Sequence, residues 1–118
     1  MKIAIDIDGV ITNNPKFFSN FIRNQTRGGN EIFILTSRLI NDETKTDKNR
    51  VLQLSKMQIT EYAKLVSIVR DKQYPDCGIG KGEFCRDNDI DLIIEDDKNY
   101  LTEIKRISPK TQGFLIYI

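Results

Sequence analysis

The 118-residue chain contains no histidine. That excludes Ser-His-Asp and Cys-His catalysis, haem sites with a histidine ligand and most zinc enzymes. Any acid–base chemistry must fall to carboxylates, lysine, tyrosine or cysteine. Cysteine is itself scarce. Cys77 and Cys85 are too few for a disulfide framework, and their spacing matches no zinc pattern, so a reducing, cytoplasmic compartment is expected. No apolar run approaches the roughly 18 residues needed to span a bilayer. Asp6 and Asp8 come too early for the apolar region of a signal peptide, so no membrane association is expected. An excess of one charge is lacking too. Eighteen Lys and Arg stand against 17 Asp and Glu, a net charge of +1, which argues against a nucleic-acid clamp. With no repeat or low-complexity tract, the length predicts a single domain over 1–118.

What the chain does have is an alternation of short apolar runs and longer polar, helix-compatible stretches. Strands are expected at Lys2–Asp6, Glu31–Thr36, Leu65–Val69, Asp91–Ile94 and Gly113–Ile118. Asn14-Pro15 reads as an N-cap followed by proline at the first helical position. Phe17, Phe18, Phe21 and Ile22 then follow at helical spacing until Gly28-Gly29. A second helix is expected over about 47–57, with Val51, Leu52 and Leu54 towards its buried side. A third begins near Lys81 and a fourth covers roughly 98–105. This order predicts a three-layer, Rossmann-like α/β domain with a five-stranded, mainly parallel sheet. Runs such as IFIL and DLII suit a sheet covered on both faces.

In such folds ligands sit outside the carboxyl ends of the strands, so the residues just after each strand carry the functional argument. Here those residues are Asp6-Ile7-Asp8-Gly9, Thr36-Ser37-Arg38 and Glu95-Asp96-Asp97. Asp6 and Asp8, two residues apart, are expected to reach one crevice. With Asp96 and Asp97 they make a hard-oxygen set suited to Mg²⁺, without which such carboxylates would repel one another and raise their own pKa values. The Thr36 hydroxyl, with backbone N–H groups around Ser37, can meet phosphoryl oxygens, and Arg38 can add a bidentate contact. Lys81, at an expected helix start, opposes the helix dipole, which points to a role in balancing the carboxylates and a phosphate. Lys72 is its rival. Gly78-Ile79-Gly80-Lys81-Gly82 lacks the spacing and the following Ser/Thr of a P-loop.

Four segments, IAIDIDGVIT (3–12), IFILTSR (32–38), Lys81 and DLIIEDD (91–97), together resemble the motif set of the haloacid dehalogenase superfamily, with some similarity to its 5'-nucleotidase branch. The resemblance implies a HAD-type fold and a Mg²⁺-dependent phosphomonoester hydrolase. In it Asp6 would be the nucleophile and Asp8 the general acid and base. Asp6, Asp8 and Asp96 would hold the metal, with Asp97 a ligand or a neighbour of one. Thr36 and Lys81 would bind the transferring phosphoryl group. The gaps at 9–14 and 70–80 leave no room for a cap domain, so the implied site is open, its partner a small phosphorylated metabolite such as a nucleotide or sugar phosphate. A second copy closing that site, and a substrate-contacting loop over the polar stretch 37–47 with Arg38, Lys45 and Lys48 nearby, follow from the same reading. Its alternatives are a phosphatase for nucleic-acid ends or a phosphoprotein, and a non-catalytic binding protein of the same fold. A receiver-type domain is disfavoured, because receivers carry their phosphorylated aspartate after the third strand.

Overall fold

Within strand β1, Lys2–Ile5, Ile3 and Ile5 face one side of the sheet and Ala4 the other. The same alternation divides β2, Glu31–Leu39, into Ile32 and Ile34 against Phe33 and Leu35. The computed structural model, which describes residues 1–70 and 77–116, therefore has two apolar cores, one on each face. The first takes Phe18 and Ile22 from α1, Pro15–Arg27, and Leu54 from α2, Asp47–Lys56. The second takes Cys85 from α3, Gly78–Asp87, and Ile104 from α4, Lys98–Ile107. Strands β3, Lys64–Arg70, β4, Leu92–Glu95, and β5, Gln112–Leu115, complete a five-stranded sheet. Its order is β3-β2-β1-β4-β5 and every pairing is parallel. The result is a three-layer α/β domain with no cap among the described residues. Among the described residues, no helix is long and apolar enough to cross a membrane.

Local signals explain where the elements begin. Asn14 accepts a hydrogen bond from the Phe17 amide and Pro15 opens α1, while the Thr46 hydroxyl caps α2 through the Asn49 amide. Three expectations are corrected. β2 runs to Leu39, so Ser37 and Arg38 lie in strand paired with Ile68 and Val69 rather than opening a loop. On α2, Val51 and Leu52 are exposed, and the buried positions are Arg50 and Leu54, one helical turn apart. α3 begins at Gly78, not near Lys81, and its glycines serve packing. A Cβ at Gly80 would stand 2.6 Å from Ile68 Cγ2, and one at Gly82 would stand 3.0 Å from Ile107 Cβ. Lys72 and the last two residues of the expected terminal strand lie outside the described residues.

Candidate functional site

Because β1 pairs with β2 on one side and β4 on the other, the chain reverses its direction of travel across the sheet at the β1–β4 boundary. That is where open parallel sheets leave a crevice at the carboxyl ends of their strands. Asp6 follows β1 there, and its amide donates to the Ile94 carbonyl at 3.3 Å. Glu95 and Asp96 end β4 opposite it. After Asp6 the backbone folds into a tight turn, Ile7–Ile11, with Gly9 at φ +77°. Glycine is required twice over at this point. The left-handed backbone disfavours other residues, and a Cβ would collide with the Asp96 carboxylate.

The carboxylates sort into two groups. Asp6, Glu95 and Asp96 each offer an oxygen within 4.8 Å of the others. Asp6 and Glu95 are buried and share Lys81, whose side chain is wholly buried. Its Nζ lies 2.6 Å from Glu95 Oε2 and 3.3 Å from Asp6 Oδ2, and 5.2 Å from the centroid of the Tyr100 ring. Glu95 Oε1 accepts from the Asp96 amide at 3.1 Å, and Asp6 Oδ1 accepts from the Ile7 amide at 2.8 Å. Burial pushes the Glu95 carboxyl up, to about 8, with help from the Asp6 charge and against the pull of Lys81. The Lys81 ammonium is disfavoured by its burial, but the charges of Asp6 and Glu95 outweigh that and raise its pKa. Three carboxyl groups thus surround a single ammonium, and Lys81 offsets their mutual repulsion only in part.

Asp8 belongs to the second group. Its carboxylate accepts two hydrogen bonds from the guanidinium of Arg50, Nη1 to Oδ1 at 3.1 Å and Nη2 to Oδ2 at 2.7 Å, and Lys45 Nζ approaches Oδ2 at 3.4 Å. Arg50 is only 2% exposed. It also donates to Thr36 Oγ1 at 3.3 Å, to the Ser37 carbonyl at 3.4 Å and to Gln53 Oε1 at 3.1 Å. Partial burial raises the Asp8 pKa, but the hydrogen bonds and charge of Arg50, joined by Lys45, outweigh it and hold the carboxyl below its ordinary range.

The two groups meet in one cleft of about 440 Å³, lined by Asp6, Asp8, Gly9, Ser37, Glu95 and Asp96 and reaching Tyr100. A hollow of about 360 Å³ between Arg86, Ile107 and Pro109 lies at the opposite, amino end of β4 and shares none of these groups. Of the residues singled out in the sequence, Asp6, Asp96 and Lys81 come together, with Ser37 on the rim. Asp8 stands apart from the carboxylate triad, bound to cations. Thr36 is buried and holds Arg50. Asp97 lines the cleft, but Oδ1 caps α4 by accepting from the Asn99 and Tyr100 amides, and it is outside the triad. Arg38 curls back onto the carbonyls of Leu39 and Ile40. Glu95 and Arg50 are the residues that sequence reasoning missed. Glu95 was legible as the first acid of Glu95-Asp96-Asp97, still in register with β5. Arg50 carried a fainter signal, its i,i+4 relation to Leu54.

Two solved structures share this architecture. A universal stress protein in complex with cAMP aligns with 99% of this chain and 96% of its own, with a TM-score of 0.59 at 10% identity. A protein of the universal stress protein family from Burkholderia pseudomallei aligns with 98% of this chain and 94% of its own, with a TM-score of 0.53, again at 10% identity. At such identity the likeness is one of fold. No protein-family model matches the chain, and no curated protein matches it in sequence. These neighbours overturn the expected haloacid dehalogenase membership and, with it, the reading of the chain as a hydrolase, phosphatase or nucleotidase. The site's electrostatics agree with that correction. A general acid must hold a proton near neutral pH, whereas Asp8 is kept ionised by Arg50 and Lys45.

Proposed function

We propose that the chain is a non-catalytic binding domain that takes a phosphate-bearing small molecule of the nucleotide class, together with a divalent cation such as Mg²⁺, at the carboxyl end of its sheet. The observation that carries this reading is the convergence of Asp6, Glu95 and Asp96 on one point beside a buried lysine. Oxygen-only donors suit a hard cation, and the backbone at Gly9, where any Cβ would strike Asp96, leaves the triad room. Asp6, Glu95 and Asp96 would hold the ion, and Lys81 would keep the remaining charge in balance. The ion would screen the carboxylates, letting an anionic ligand approach. The fold neighbour in complex with cAMP supports the nucleotide class.

Calorimetric titration of the purified chain with cAMP, AMP and ATP, with and without Mg²⁺, tests the proposal. Binding is expected for at least one nucleotide, strengthened by Mg²⁺, weakened by Asp96→Asn, and the ligand should be recovered chemically intact by chromatography. No binding of any of the three, or recovery of a dephosphorylated product, would overturn it.

A further inference from the structure

Arg50 is a costly residue to bury. A guanidinium taken out of water needs acceptors for its donors, and a helix position facing the sheet is ordinarily apolar. In α2 it occupies the inward face beside Leu54, and its head is steered by three neutral acceptors, Thr36 Oγ1, the Ser37 carbonyl and Gln53 Oε1. That leaves one edge of the guanidinium presented to Asp8 in the two-point geometry by which arginine also grips a phosphate. Its Nε has no acceptor among the described residues, so the group has donor capacity to spare. Lys45 adds a second cation from the rim, its side chain 40% exposed.

From this geometry we infer that Arg50 and Lys45 form an oxyanion subsite, which the Asp8 carboxylate fills from within and which a phosphate group of the ligand takes over. The inference rests on the reading above that the ligand bears phosphate, and it names the groups that recognise it. Asp8 is the mobile partner. Its side chain is 46% exposed, against 2% for Arg50, so it can turn to solvent while the guanidinium stays in place. Nothing in the backbone need move. Gly9 N donates to Thr12 Oγ1 at 2.9 Å, and the Ile7 and Asp6 carbonyls accept from Thr12 and Ile11, so the turn around Asp8 is tied down independently of its carboxylate. The charges match as well. With Asp8 in place, two cations and one carboxylate leave +1; with Asp8 turned out, Arg50 and Lys45 present +2 to a phosphate dianion. Asp8 thereby lowers affinity for weakly held anions, because each must first displace it, and a ligand that also engages the cation site at Asp6 and Asp96 competes on better terms.

Inorganic phosphate, titrated calorimetrically in the absence of divalent cations, is the probe. Asp8→Asn should bind phosphate on the order of tenfold more tightly than the unmodified chain, since the internal competitor is weakened. On the Asp8→Asn background, Lys45→Ala and Arg50→Lys should each reverse that gain. The first alters only a half-exposed rim residue, so it stands as the test if Arg50→Lys does not fold. Phosphate affinity that fails to rise in Asp8→Asn, or that rises but is indifferent to Lys45→Ala, overturns the subsite. Mn²⁺ binding, followed by electron paramagnetic resonance in the same proteins, separates this from the cation site. A phosphate response without Mn²⁺ binding would remove the cation while keeping the subsite. Mn²⁺ binding without a phosphate response would remove the subsite alone.

Discussion

Asp8 has a half-exposed carboxylate that two cations reach, Arg50 Nη2 at 2.7 Å and Lys45 Nζ at 3.4 Å. Their attraction outweighs the cost of partial burial, and the folded-state pKa is lowered. A carboxyl whose pKa falls on folding adds stability that is complete above its unfolded value of about 4 and is lost as pH falls through the lower, folded value. The unmodified chain should therefore be more stable than Asp8→Asn at pH 7 in urea unfolding. The two curves should converge as the pH drops below about 4, where protonated Asp8 resembles asparagine. A gap that stays constant from pH 7 to pH 3 would show that the ion pair contributes nothing. At the same scale, Glu95 shows the opposite balance. It is wholly buried, among the described residues only one cation touches it, and Asp6 repels it, so its pKa rises in spite of Lys81.

Among the elements, α4 owes its start to Asp97, whose carboxylate takes both the Asn99 and the Tyr100 amides. Adjacent acids in the sequence thus have different tasks. Asp96 faces the triad, while Asp97, one residue on, satisfies helix donors that would otherwise lack partners. Asp97→Ala should cost about 1 kcal/mol of stability, and Asp97→Ser should recover most of it. Mg²⁺ affinity should change far less than in Asp96→Asn. Loss of Mg²⁺ binding in Asp97→Ser equal to that in Asp96→Asn would make residue 97 a ligand after all. The helix pair α3–α4 obeys a related logic. Gly82 lets α3 approach Ile104 and Ile107 closely, and that approach holds Lys81 at the depth where it meets Glu95.

For the whole molecule, the β1–β4 boundary brings together residues 6 and 95–96, from opposite ends of the chain, by strand pairing. A cation held there belongs to the folded state only, because the unfolded chain does not gather those carboxylates. Mg²⁺ at a hundredfold excess over its Kd should therefore stabilise the protein by about 2.7 kcal/mol. For a chain of this size that raises Tm by roughly 10 °C. EDTA should reverse the shift and Asp96→Asn should abolish it. A Tm that does not move across a Mg²⁺ titration would end the cation half of the proposed function. The same fold in a universal stress protein bound to cAMP and in this chain illustrates why architecture alone does not assign chemistry, since the function lies in the side chains at the strand ends.

Sequence by itself determined the elements and their order, because strand and helix periodicity, the Asn14-Pro15 start and the apolar runs act locally. It also pointed to the strand ends, since a parallel α/β sheet has only one edge where ligands collect. Tertiary structure decided what each polar group does. Asp6 and Asp8 share a motif, yet one meets Lys81 and Glu95 and the other meets Arg50 and Lys45, because partners distant along the chain set the local charge. The motif resemblance pointed to a phosphatase for the same reason it could not see Arg50. A list of residue types along the chain carries no information on which cation lies within 3 Å of which carboxylate, and that distance determines whether a carboxyl group holds a proton or gives it up.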